Sequence, residues 1–168
     1  MTKLTPDLAL VSIASIEYRH PRNPALRDCR IDSPTPGIHL VNGPDSGIFA
    51  RQASLRTDGW VLGLRHRAVK IVFTTNGAVL KEVPLRVFRE DVNLAYPGSL
   101  EIRKCGFKSR IALIALASDF DIEVLTELED GASIIFAHVK GTWKKLPAHL
   151  RSSDPVSILA SLIQLLAE

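Results

Sequence analysis

Val69-Lys70-Ile71-Val72-Phe73, then Asn76-Gly77, then Ala78-Val79-Leu80-Lys81-Glu82-Val83-Pro84-Leu85-Arg86-Val87-Phe88 is the stretch that decides the fold class. Both flanking runs are rich in β-branched residues, which pack well on a pleated surface. Asn-Gly supplies two residues that accept positive φ, as a type I′ turn requires, and that turn follows the twist of paired strands. Pro84 has no N–H to give a ladder, so the second strand is expected at a sheet edge or a bulge.

The same reading extends outward. Asp130-Gly131 joins Ile122–Leu128 to Ser133–Lys140, and Ile122, Val124, Thr126 and Leu128 alternate with Asp121, Glu123 and Glu127. Only Leu125 breaks that pattern. Thr57-Asp58-Gly59 reads as a further turn between strands over 48–56 and 60–66, and Cys105-Gly106 as another between 99–104 and 107–117. Leu8–Arg19 forms a strand around Val11, Ile13 and Ser15, while His20–Pro24 and Ser33–Gly37 are proline-punctuated loops. About ten strands with short turns leave no room for crossover helices, so the expected fold is mainly β, an antiparallel β-sandwich or barrel.

A helix is expected at the C-terminal end, over 154–167. Ser153 or Asp154 can accept its first N–H groups, and Pro155 suits its first position. Ser157, Ser161, Gln164 and Glu168 make one narrow polar stripe, and apolar side chains that include Leu159, Leu162 and Leu166 fill the rest. Such a helix buries itself on the β core or in a partner's groove. The chain reads as one domain, 1–168, with a β core over 7–146 and this helix appended.

Composition narrows the class. Of 168 residues, 46% are hydrophobic and 23% charged, which excludes a disordered chain and a coiled coil. Cys29 and Cys105 lie too far apart for a zinc pattern and read as buried thiols. The N-terminal residues lack a signal-peptide pattern, and the longest apolar stretch, Val156–Ala167, is too short to span a bilayer. The expectation is a cytoplasmic protein that does not use a membrane.

Chemistry-bearing motifs are sparse. There is no Gly-x-Gly-x-x-Gly or Gly-x-x-x-x-Gly-Lys-Ser/Thr, and Ser46 lacks the Gly-x-Ser-x-Gly elbow. Cys105 near Arg103, Lys104 and Lys108 could act as a nucleophile only if the fold brought a base such as His138 to it. Asp119 and Asp121 share one strand face. The five histidines show no metal-ligand spacing, so no metal and no cofactor is expected. Asp32-Ser33-Pro34-Thr35-Pro36-Gly37 departs from the Asp-x-Ser-x-x-Gly spacing of cyclic-dinucleotide barrels.

Charge is the remaining signal. The net charge is +3, but residues 60–110 carry ten bases and four acids, whereas 119–130 carry six acids and no base. Arg65 and Arg67 bracket a cationic turn, Arg103, Lys104, Lys108 and Arg110 flank another, and Trp143 stands beside Lys144 and Lys145. Glu123 and Glu127 mark the acidic strand. Absent catalytic motifs and opposite charge on separate strands point to a non-enzymatic binding or scaffold subunit acting through protein–protein contacts. Its partner is another protein or further copies of itself, with the acidic strand, the basic segments and Leu159, Leu162 and Leu166 as contact residues. One alternative is a barrel that binds nucleic acid through the basic hairpins. Another is a small-ligand barrel or enzyme with its pocket under the terminal helix.

Overall fold

A computed structural model describes residues 7–19, 24–42, 52–100 and 104–147, together with 160, 163 and 164. Nine strands occur among them: β1 (Ala9–Tyr18), β2 (Leu26–Ser33), β3 (Gly37–Val41), β4 (Ser54–Gly63), β5 (Ala68–Thr75), β6 (Ala78–Pro84), β7 (Gly106–Ala112), β8 (Asp119–Leu128) and β9 (Ser133–Lys145). They form two antiparallel sheets, one of six strands in the order β3-β1-β9-β8-β5-β6 and one of three in the order β2-β4-β7. The fold is mainly β, and the sheets do not close into a barrel.

The two Asn/Asp-Gly hairpins form as the sequence predicts. Asn76 and Gly77 take φ of 49° and 78° between β5 and β6, and Gly131 takes 87° between β8 and β9. β6 is an edge strand ending on Pro84, and its register with β5 slips at Phe73/Thr74. Along β8, Phe120, Ile122, Val124, Thr126 and Leu128 are buried, while Leu125 is half-buried on the other face. The Thr126 hydroxyl bonds the Lys70 carbonyl at 3.1 Å, which satisfies a polar group inside the core.

Every other connection between successive strands crosses from one sheet to the other. That overturns two predicted turns. Thr57-Asp58-Gly59 lies inside the continuous strand β4. Gly59 is needed for close approach, because a Cβ there would sit 2.3 Å from the Arg30 carbonyl oxygen and 2.8 Å from the Phe107 ring. Cys105-Gly106 is likewise no hairpin: Gly106 opens β7, whose sheet partner is β4, and pairs on its other side with Val87.

The strand expected to run to Phe88 stops at Pro84, and a short helix that periodicity did not reveal, α1 (Glu90–Ala95), follows. α1 lies mid-chain, not at the C-terminal end. The predicted helix over 154–167 falls outside the described residues except for Ala160, Ile163 and Gln164, which have helical backbone and are exposed.

The inner faces of the two sheets share one core. Val11, Ile13, Ile71, Phe73, Ile122, Val124, Phe136 and Val139 face Ile31, Leu55, Val61, Phe107 and Ile111. Phe73 and Phe107 meet edge-on across it, with centroids 6.0 Å apart. A smaller cluster of Trp60, Leu62, Val92 and Cys105, with Tyr96 against it, packs α1 onto the three-stranded sheet. The rest of β4 and β7 is left uncovered by α1. Among the described residues no helix is long and apolar enough to cross a membrane.

Candidate anion-binding groove

The arrangement with most chemistry lies at one open side of the sandwich, where β7, an edge of the small sheet, faces β6, an edge of the large one. Strand alternation sets its outer wall. Arg56 pairs in register with Arg110, Asp58 with Lys108 and Ser54 with Ala112. Arg56, Asp58, Lys108 and Arg110 therefore share one face of the β4–β7 pair. Lys81 reaches across from β6, and its Nζ donates to the Arg110 carbonyl at 3.0 Å. The resulting groove has a volume of about 630 Å³, within the roughly 300–1,000 Å³ usual for ligand sites.

Its charges are unequal. Asp58 is the one carboxylate among the described lining residues, and Arg56 grips it through Nε at 2.8 Å and Nη2 at 2.5 Å. That hydrogen bond and charge raise the Arg56 pKa. Arg110 Nη1 donates to Ser54 Oγ at 3.3 Å. Among the described residues Lys81, Lys108 and Arg110 have no carboxylate partner. Arg56 and Arg110 stand directly opposite each other on paired strands, with Asp58 offsetting the charge of the first. Among the described residues no aromatic side chain lines the groove. Asp58 Oδ1, Thr57 Oγ1 and Ser109 Oγ are buried nearby without a partner among the described residues.

Lys108 and Arg110 thus come together, but not with the other residues singled out from sequence. Arg65 and Arg67 lie in the β4–β5 turn, at the far end of β4 from Arg56. There the Arg67 N–H donates to Glu129 Oε1 at 3.1 Å, and His66 lies 3.5 Å from Asp130. Lys104 is exposed, and Arg103 lies outside the described residues, as do Ser46, Leu159, Leu162 and Leu166. Glu123 accepts from Thr74 Oγ1 at 2.8 Å, and Glu127 pairs with Lys70 at 3.0 Å on the outer face of the large sheet. Trp143 is half-buried and donates Nε1 to the Ala117 carbonyl at 3.1 Å. Lys144 is exposed, and Lys145 pairs with Asp7 at 3.2 Å.

The catalytic candidates separate as well. Cys105 is buried under α1 on the small sheet, while His138 bonds Asp121 at 2.9 Å on the large one, where Asp119 is exposed. Among the described residues no three metal-ligating side chains gather. The sequence reading missed Arg56, Asp58 and Lys81. Read as one strand, Arg-x-Asp would have put the first two on a single face; nothing in the sequence brings Lys81 to them.

Comparison with protein-family models, with curated proteins and with solved structures finds no match.

Proposed function

We propose that this chain is a non-enzymatic binding subunit acting through protein–protein contacts, and that its groove between β6 and β7 receives an acidic segment of the partner. One observation carries the reading: Lys81, Lys108 and Arg110 converge from two sheet edges with no carboxylate partner among the described residues. Cations held this way lower the cost of bringing carboxylates to the surface and speed encounter with them. The lack of aromatic rings among the described lining residues favours a carboxylate-bearing partner over single-stranded nucleic acid, which needs stacking platforms.

The test is fluorescence anisotropy of a labelled octaglutamate peptide against the full chain. Binding at low salt, lost in Lys108→Glu/Arg110→Glu with thermal unfolding unchanged, is the expected result. Equal binding by that variant, or preference for a single-stranded oligonucleotide over the peptide, refutes the reading.

A further inference from the structure

The other open side of the sandwich holds a second cavity whose lining has a different chemistry. There the end of β1 meets the free edge of β2, and Tyr18 pins one to the other. Its hydroxyl accepts from the Ile31 N–H at 2.9 Å and donates to the Ile31 carbonyl at 3.3 Å. The cavity has a volume of about 880 Å³.

Three rings, Tyr18, Trp60 and Tyr96, and two guanidinium groups, Arg27 and Arg30, contribute to its lining. The aromatic wall is held in place. Trp60 and Tyr96 have centroids 5.8 Å apart, and the Tyr96 hydroxyl bonds Asp28 Oδ2. Arg27 already lies over the Tyr96 ring, 5.4 Å from its centroid.

The cations at the mouth have spare capacity. Asp28, the one carboxylate among the described lining residues, accepts from both the Tyr96 hydroxyl and the Cys29 N–H. Arg27 has no carboxylate partner among the described residues. Arg30 meets Asp32 only at 3.5 Å, and Arg89 holds that same acid at 2.6 Å. A guanidinium presents a planar fork of donors that fits phosphate oxygens in pairs.

We propose that this cavity binds a planar aromatic phosphate of nucleoside-monophosphate size, its ring against Tyr18, the exposed ring of the lining, and its phosphate on Arg27 and Arg30. The site is separate from the groove between β6 and β7 and does not depend on the reading given for it. Neither half of the ligand suffices alone. A bare phosphate meets two exposed, flexible arginines, and a bare ring leaves their donors in water.

Isothermal titration calorimetry on the full chain tests this, using AMP and GMP in turn, with the matching nucleosides and inorganic phosphate as the two halves. A nucleotide should bind at least about tenfold more tightly than either half. Arg27→Ala and Arg30→Ala should each weaken it about ten- to a hundredfold, the loss of charge-assisted hydrogen bonds. Both arginines are exposed, so far-UV circular dichroism of these variants should not change and thermal unfolding should move little. Arg27→Lys should recover part of the affinity, and Lys108→Ala in the other groove should leave it intact. The proposal is overturned if neither nucleotide binds at millimolar concentration, if inorganic phosphate binds as tightly, or if the Arg27→Ala/Arg30→Ala double variant binds nucleotide normally.

Discussion

A hydrogen atom in place of a methyl group decides whether β4 can lie between its neighbours. At Gly59 an added Cβ would fall 2.3 Å from the Arg30 carbonyl and 2.8 Å from the Phe107 ring, one on backbone and the other in the core. Neither can yield cheaply, so Gly59→Ala should cost about 1–3 kcal/mol or more, read as a lower urea midpoint with an unchanged slope. Burial acts differently on Cys29. Desolvation, with Asp28 nearby, pushes its thiol from the ordinary 9.0 up to about 12. In the folded protein Cys29 should therefore resist a thiol reagent at pH 8 and react only on unfolding. Because the folded pKa is the higher one, the stabilisation is whole below pH 9.0 and is lost as pH rises toward about 12. Cys29→Ala should flatten the stability profile over that alkaline window, measured by denaturant titration at stepped pH.

α1 shows what holds an element whose own sequence does not. It has six residues, no side-chain cap at Arg89 and one buried side chain, Val92. A helix of this length cannot repay its nucleation alone. Arg89 supplies the missing support: its guanidinium takes both Asp91 oxygens, at 2.9 Å and 2.7 Å, and reaches Asp32, 57 residues away, at 2.6 Å. The hydrogen bond from Arg89 holds the Asp91 carboxyl down from 3.8 to about 2. With the folded pKa the lower one, that contribution is present above pH 3.8 and fades as pH falls toward about 2. Tryptophan emission in a Trp143→Phe background, which leaves Trp60 under α1 as the reporter, should shift over this window, and Asp91→Asn should remove the transition and loosen α1 at neutral pH. The β5–β6 and β8–β9 hairpins were legible in the sequence because their partners are consecutive and their turns carry their own φ signature. α1 was not, since its anchor is distant along the chain. The turn signal at Asp58-Gly59 misled for a related reason, as what fills the space beside Gly59 is set by Arg30 and Phe107. The same limit halves the candidate groove. Lys108 and Arg110 announce themselves as charges on one strand, but Arg56 joins them only when β4 pairs with β7, and Lys81 only when the two sheets meet.

For the molecule as a whole, the question is where charge remains uncompensated. The outer face of the large sheet looks acidic in sequence, yet its acids find partners at home: Glu17 with Lys140 at 3.0 Å, Asp121 with His138 at 2.9 Å, Glu123 with Thr74 at 2.8 Å, and Glu127 with Lys70 at 3.0 Å. Each such exposed ion pair contributes only about 0–1 kcal/mol; Lys140 and Lys70 offset the charge of Glu17 and Glu127, while the neutral Thr74 hydroxyl holds Glu123 without offsetting its charge. Among the described residues Lys81, Lys108 and Arg110 are not balanced in this way. Salt should therefore act on the groove more than on the sheet. Octaglutamate affinity should fall steeply as the Debye length shrinks from about 10 Å at 0.1 M toward 3 Å at 1 M. Lys108→Gln and Arg110→Gln should each lower the affinity and make its salt dependence shallower. Glu123→Lys/Glu127→Lys should do neither; it should lower thermal stability slightly, because Lys70 then faces a like charge. If the two groove variants leave both the peptide affinity and its salt dependence unchanged, the groove is not the contact surface.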